Sequence, residues 1–477
     1  MPTSSRYIPD PRFQDLGPEF ADPVAPARFP AEIPRFRNQR AAASVGLEAL
    51  DEAEWASTFA RFEPLAGNQR HPLAMRYHGH QFRAYNPQLG DGRGFLYAQL
   101  RETVSGRLLD LGTKGSGRTP YSRFGDGRLT LKGGVREVLA SEMLLALGAP
   151  TSRSFALFET GEALERPDEP SPTRSAVLTR LSHSHIRFGT FQRHAYLERP
   201  DLVRRLIDHV IEVYYPWLEP LPGEERAVGL MGAVTERSAE LTARWMAAGF
   251  VHGVLNTDNM NITGESFDYG PYRFLPYSDP DFTAAYFDQT GLYSFGRQPE
   301  AVFWNLRQLA VSLAGTGCDA DALAETLQDF GTLYRRALTG AVLARLGVKR
   351  RLAAYDEALS AAAFRAIAEG GAAVRWEPFF FDWFGGPASE GRALGGLRGS
   401  FYRGEAAQAF RQALADYEPA SPGRLADPYF AEPEPEELLY DEIEAIWSPI
   451  AAQDDWSRFE AKLARIDQAR EAWGLAD

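Results

Sequence analysis

The stretch His252-Gly253-Val254-Leu255-Asn256-Thr257-Asp258-Asn259, followed at a short distance by Asp268-Tyr269-Gly270, decides how the chain is read. It closes a segment of helical periodicity running from 224 to 248 and gathers acids and amides in one polar loop. Asn259 and Asp268 are hard oxygen donors of the kind magnesium accepts, since that ion takes few protein ligands and keeps phosphate and water. An Asp-Tyr-Gly turn alone reads as a plain β-turn; with His252 and Asn259 upstream, the metal reading leads. Asp258 is the only acid between His252 and Asn259. It is either the base for a reaction at this loop or a buttress for its neighbour.

Composition sets the frame around this loop. At 477 residues, the chain is expected to hold about three units, or one large two-part domain with extensions. Hydrophobic residues make up 44% and charged residues 24%, an ordinary globular balance. A net charge of −13 and a pI near 5.3 argue against a general nucleic-acid binder, which needs a broad basic face. They leave room for one local basic pocket. Cys318 is the only cysteine, which excludes an intrachain disulfide or a multi-cysteine zinc site and fits a reducing compartment. No apolar run reaches the roughly 18–20 residues of a membrane span. The start, Met1-Pro2-Thr3-Ser4-Ser5-Arg6, lacks a secretory h-region. A cytoplasmic protein without a membrane partner is expected.

Moving outward, residues 1–37 are dense in proline, which removes amide donors and prevents helix or central strand. They read as an extended arm anchored by Phe13, Phe20 and Phe29, followed by a short helical stretch over 47–62. Strand-like runs at 95–100, 107–111, 154–158 and 175–181 surround one clear helix between Gly133-Gly134 and Gly148, which makes a small α+β unit. Beyond 199 helices dominate, with further ones expected at 300–314, 320–346, 404–416, 434–447 and 455–473. The glycine-rich segment 385–399 reads as a long loop.

Several smaller signals fall in a suggestive order. In Leu89-Gly90-Asp91-Gly92-Arg93-Gly94, alternate glycines let backbone amides approach an anion, although a hairpin turn is the first reading of such a run. It is neither a Walker loop nor a good dinucleotide fingerprint. Lys114 and Glu137 follow, then Arg180 and Arg187, whose guanidinium forks suit phosphate oxygens. Each has an ordinary surface reading on its own. His78, His80, His183 and His185 can be paired as metal ligands, but structural or surface roles are the better reading with so few histidines. Glycine loop, lysine, helix glutamate, His-x-x-Leu-x-x-x-Asn and Asp-x-Gly together form the order of parts in a protein kinase. One part differs: Val254 stands where a kinase has its catalytic Asp.

Three runs in the first part of the chain carry a closer resemblance: Gly79-His80-Gln81-Phe82, 88–94 and 114–128. Three more follow, at 136–142, 252–260 and 267–271. Together they resemble the selenoprotein O family, densely from about 70 to 300. That resemblance implies a two-lobed, protein-kinase-like α+β fold that binds ATP in a flipped orientation and transfers AMP to protein hydroxyls. By matching motif, Gly90, Gly92, Arg93 and Lys114 would contact nucleotide phosphates, with Glu137 holding Lys114. Asp126 and Gly127 would line the nucleotide site, and Arg180 and Arg187 would grip the inverted phosphate tail. Asp258 would accept the proton, and Asn259 with Asp268 would hold Mg²⁺ or Mn²⁺ beside ATP. A redox residue found near the C-terminus of some family members has no counterpart in Trp473-Gly474-Leu475-Ala476-Asp477.

The expected organisation is an N-terminal arm and short helix at 1–69, a nucleotide-binding N-lobe at 70–188, a helical C-lobe at 189–420 and a helical extension at 421–477. The expected reaction is adenylyl transfer from ATP to Ser, Thr or Tyr hydroxyls of target proteins. A γ-phosphoryl kinase and a silent nucleotide-binding scaffold remain the alternatives. The sequence leaves open the target proteins, UTP as donor and the oligomeric state.

Overall fold

The proline-rich arm enters the sheet, but only at its margins. In the computed structural model, which describes residues 4–167 and 169–475, strands β1 (Ala21–Pro23) and β2 (Ile33–Arg37) are the two edges of an antiparallel sheet. Its order is β1-β3-β6-β7-β10-β9-β2, built with β3 (Leu73–Met75), β6 (Leu96–Arg101), β7 (Leu108–Lys114), β9 (Arg153–Leu164) and β10 (Thr173–Ser182). Pro23 and Pro34 are tolerated there because an edge strand does not need every amide for the ladder. A short β8 (Leu129–Thr130) pairs with β10. The hairpin β4 (Gly79–Gln81) and β5 (Ala84–Asn86) stands apart from this sheet. So does the pair β11 (Phe250–Val251) and β12 (Arg273–Phe274), which encloses the loop that opened the sequence reading. Residues 1–3 of the expected arm, residue 168 between the expected strands at 154–158 and 175–181, and residues 476–477 of the expected extension lie outside the described residues.

Side chains of the sheet alternate between two covers, as a period of two requires. Tyr97, Leu109, Phe155, Phe158 and Val177 pack under α1 (Gln39–Ser44) and α2 (Glu52–Phe59), where Trp55 stacks on Phe155 at 5.2 Å. Leu96, Leu108, Leu157 and Leu178 face the opposite way and join a larger core with α3 (Leu131–Ala146). Phe13 and Phe20 of the arm are buried in that larger core, and Phe29 packs partly buried against the first. The two glycines expected to precede α3 lie inside its first turn, and Thr130 caps it through the Gly133 amide.

After the sheet come α4 (Phe188–Tyr196), α5 (Pro200–Tyr214), α6 (Arg226–Ala247) and α7 (Gln298–Ala314). The helix expected over 320–346 is two, α8 (Ala320–Gln328) and α9 (Phe330–Arg345), meeting at Asp329. The short α1 and α4 were not anticipated, nor were α10 (Ala353–Gly370), an alanine-rich segment, and α11 (Trp376–Trp383), buried on every side. A helix without a polar face has no amphipathic period to recognise. The expected long loop at 385–399 is largely short helix, including α12 (Glu390–Gly395), and is followed by α13 (Gly399–Arg403) and α14 (Gln408–Leu414). The chain finishes with α15 (Tyr440–Gln453) and α16 (Ser457–Trp473), the latter packed on α3. The larger core runs through arm, sheet, middle helices and these last two. The fold is thus mixed α+β, one antiparallel sheet with a helical C-terminal region.

Candidate active site

Lys114 is the last residue of β7, not a residue beyond it, and Glu137 sits in the first half of α3. Their side chains form an ion pair at relative exposures of 8% and 2%. Burial drags the Lys114 ammonium below its usual range, while Glu137 and Asp268 oppose it.

Asp268 is the point on which the cations converge. Its Oδ1 accepts from Arg180 Nη1 at 2.5 Å, its Oδ2 from Arg187 Nη1 at 2.7 Å, and Lys114 Nζ lies 3.5 Å away. Burial works to raise this carboxyl, yet Arg180, Arg187 and Lys114 together hold it well below the usual carboxylate range. Asp268 also adopts φ 61°, a left-handed backbone that a non-glycine keeps only when its surroundings over-determine it. Arg180 reaches the site from β10 and Arg187 from the N-cap of α4. The Arg187 guanidinium lies between Tyr77 and Phe267, 4.6 and 4.7 Å from their ring centres, and donates to the Asp258 carbonyl at 2.6 Å.

Asp258 itself has a different environment. Its Oδ1 is buried without a hydrogen-bond partner, and burial, opposed by Arg187, pushes its carboxyl up to about 6. An unpaired buried carboxylate oxygen costs stability, so its persistence points to function. The loop around it is fixed from several sides. His252 bonds the Phe267 carbonyl through Nε2 at 3.0 Å, and Asn259 donates to the Val254 carbonyl at 2.8 Å. Asn305 donates to the Leu255 carbonyl at 2.9 Å, and Thr257 donates to Gln192 at 2.6 Å.

The glycine run 90–94 is not a hairpin turn; it joins β5 to β6 and bends along the cleft. Asp91 anchors it by accepting the Met75 amide at 3.0 Å. A Cβ on Gly90 would stand 2.3 Å from the Tyr121 ring, so this position needs glycine for close approach. Gly127 needs it for its φ of 73°. Asp126 pairs with Arg166 at 2.9 Å.

Gly90, Gly92, Arg93, Lys114, Asp126, Gly127, Arg180, Arg187, Asp258, Asn259 and Asp268 all line one cleft of ≈ 760 Å³. Glu137 stands behind it, against Lys114. Sequence reasoning passed over Tyr77, Tyr121 and Gln192. Tyr121 lay within the 114–128 run, whereas nothing local marks Gln192. Of the histidine pairs, His78 and His80 are held by hydrogen bonds: His80 bonds Gln192 at 2.8 Å, and His78 sits between Tyr85 and Arg193. Among the described residues, no group of three or more His, Cys, Asp or Glu could hold a metal. Among the oxygen-bearing side chains that line the cleft are Asp268 and Asn259, the pair expected from the sequence as metal ligands. That small set fits a hard ion whose other ligands are phosphate and water.

Comparison with known proteins covers nearly the whole chain. The family model described as protein adenylyltransferase SelO matches residues 5–467. A protein nucleotidyltransferase YdiU of Synechococcus elongatus is 44% identical over 98% of this chain and 96% of its own. Its counterpart in Gloeobacter violaceus is 46% identical over 96% and 94%. The one in a Synechocystis species reaches 52% over 72% and 71%. The chain belongs to the protein adenylyltransferase SelO family.

Proposed function

We propose that this chain, a nucleotidyltransferase by family, transfers AMP from ATP to Ser, Thr or Tyr hydroxyls of target proteins, on a two-lobed, protein-kinase-like fold. The observation that carries the reading is the convergence of Lys114, Arg180 and Arg187 on Asp268, in the same cleft where Asp258 keeps an unpartnered oxygen. Three cations gathered from β7, β10 and α4 form a site for a polyanion, whose oxygens compete with Asp268 for the guanidinium forks. The proposed units are those expected from the sequence: 1–69, 70–188, 189–420 and 421–477. The proposal includes a cytoplasmic location, supported by a lone cysteine, and no nucleic-acid partner, supported by a net charge of −13.

In the proposed reaction the acceptor oxygen forms a bond to the α-phosphorus, the bond from that phosphorus to the bridging oxygen breaks, and pyrophosphate leaves. Asp258 takes the hydroxyl proton, a role worth roughly 10²–10⁴-fold. Lys114, steadied by Glu137, and the two arginines neutralise the phosphates as charge shifts to the leaving group, the kind of fixed electrostatics that dominates such transfers. Gly90, Gly92, Arg93, Asp126 and Gly127 line the rest of the nucleotide site. Asn259 and Asp268 would hold magnesium or manganese, which would supply further charge neutralisation at the phosphates.

The test is to incubate the protein with an acceptor-protein mixture and ATP labelled at either the α or the γ position. Protein-bound label from α alone is expected. Label from γ alone establishes a kinase, and none from either, with ATP binding by calorimetry retained, favours a nucleotide-binding scaffold.

A further inference from the structure

Beside the cleft, on the outer side of the catalytic loop, three aromatic side chains stand open to solvent. Phe82, Phe287 and Tyr286 are 36%, 48% and 82% exposed. Their rings are in contact, Phe82 with Phe287 at 5.8 Å and Phe287 with Tyr286 at 5.1 Å. Phe82 also rests on the buried Tyr293 at 5.0 Å. A contiguous aromatic cluster in water is uncommon on a surface without a partner, because its burial is favourable wherever a complementary surface exists.

The cluster is joined directly to the loop that carries Asp258. One amide oxygen, Asn256 Oδ1, accepts both the Phe82 amide at 3.0 Å and the Tyr293 hydroxyl at 2.8 Å. Gln81, the residue before Phe82, lines the cleft, and a Cβ on Gly79, two further back, would stand 3.0 Å from Asp258 Oδ1. The hairpin β4–β5 thus leads from the cleft to the patch. Its two-residue turn holds Phe82 at φ 49° and Arg83 at φ 64°, a backbone that hairpins normally give to Asn-Gly. Strain of this kind persists where other contacts fix it, and it clusters at functional sites. Here it keeps Phe82 outward, next to Phe287.

Arg83 and Arg297 both pair with Glu300, at 3.1 and 3.3 Å. The three rings themselves supply apolar contact. We propose that Phe82, Phe287 and Tyr286 dock an apolar side chain of the target-protein segment that carries the acceptor hydroxyl. An extended segment advances about 3.3 Å per residue, so one that enters the cleft can also lay a flanking side chain along the hairpin on the patch. This rests on the adenylyl-transfer reading, because it assigns the acceptor side of that site.

The experiment uses the full-length protein, α-labelled ATP and synthetic acceptor peptides with a fixed Ser, Thr or Tyr, one flanking position at a time set to Phe, Leu, Ala, Asp or Lys. Wild type is expected to favour Phe and Leu at one such position. Tyr286→Ser with Phe287→Ser is expected to raise KM for the favoured peptide by about tenfold, the scale of one buried aromatic, and to remove the preference. Nucleotide affinity, measured by calorimetry, is expected to stay unchanged. If wild type labels no peptide and no protein, the adenylyl-transfer reading fails first. If wild type labels peptides without an apolar preference, or the double variant keeps the preference, the docking proposal is overturned while the transfer reading stands. A wild-type dimer in sedimentation that the double variant converts to monomer also overturns it, by assigning the patch to a second copy.

Discussion

Asp258 and Asp268 are buried carboxylates in one loop system, and their surroundings push them in opposite directions. Asp268 is held ionised by three cations, whereas Asp258 is raised to about 6 by burial and leaves one oxygen unpaired. Their substitutions should separate accordingly. Asp258→Asn is expected to cut transfer by roughly 10²–10⁴-fold, with ATP affinity by calorimetry and the melting temperature at or above wild type, because a buried charge is removed. Asp268→Ala is expected to abolish transfer and also to lower stability by about 3–5 kcal/mol, since Arg180, Arg187 and Lys114 would be left without their counter-charge. Thermal unfolding distinguishes the two. The sequence order of Lys114, Glu137, Asp258 and Asp268 was legible in the chain. The opposite environments were not, because they depend on Arg187 reaching both aspartates from the start of α4.

Among the elements, α3 holds the key position between sheet and C-terminus. It carries Glu137 toward Lys114 and presents Glu142 to Asn38 at 2.8 Å and to Arg40 at 2.7 Å. Its outer side is covered by α16, and Arg40 bridges the two helices by also donating to Asp467 at 2.5 Å. Removing α16 by truncation after residue 456 is expected to lower the melting temperature and to raise KM for ATP, because the helix that steadies Lys114 loses its cover. Unchanged nucleotide affinity in the truncated protein would show that α3 is fixed by the sheet alone. The apolar stripe of α3 made it readable from Val135, Val138, Leu139 and Met143. The element that covers it was readable as a helix too, but not as a neighbour. Segment α11 escaped altogether because Phe379, Phe380 and Phe381 are all buried, leaving no polar face to set a period.

At the scale of the whole molecule, the seam between sheet and helical region passes through Glu265. Its Oε2 accepts the His183 amide at 2.7 Å, and the next residue, Ser266, bonds the backbone of Pro150 and Ser152 at 2.9 Å each. Burial raises the Glu265 carboxyl from 4.5 to about 7, opposed by the His183 amide, Arg107 and Arg153 and reinforced by Asp110. A carboxyl raised by folding favours the protonated folded state, so stability falls as pH rises from 4.5 through about 7 and is level above that. Glu265→Gln removes this dependence. Its melting temperature relative to wild type is expected to be higher at pH 8 than at pH 5; an equal difference at both would place the Glu265 titration elsewhere. By itself, the sequence determined the class of fold and the succession of most helices and strands, and it marked residues that line one cleft, since each rests on local periodicity or on a motif a few residues long. Only the tertiary structure decided that β1 and β2 of the arm close the edges of the sheet, that Gln192 and Asn305 fix the 252–259 loop, and that Phe82 meets Phe287 beside it. Those contacts join residues far apart in the chain, and no local pattern of residues records which distant surface will supply the missing partner.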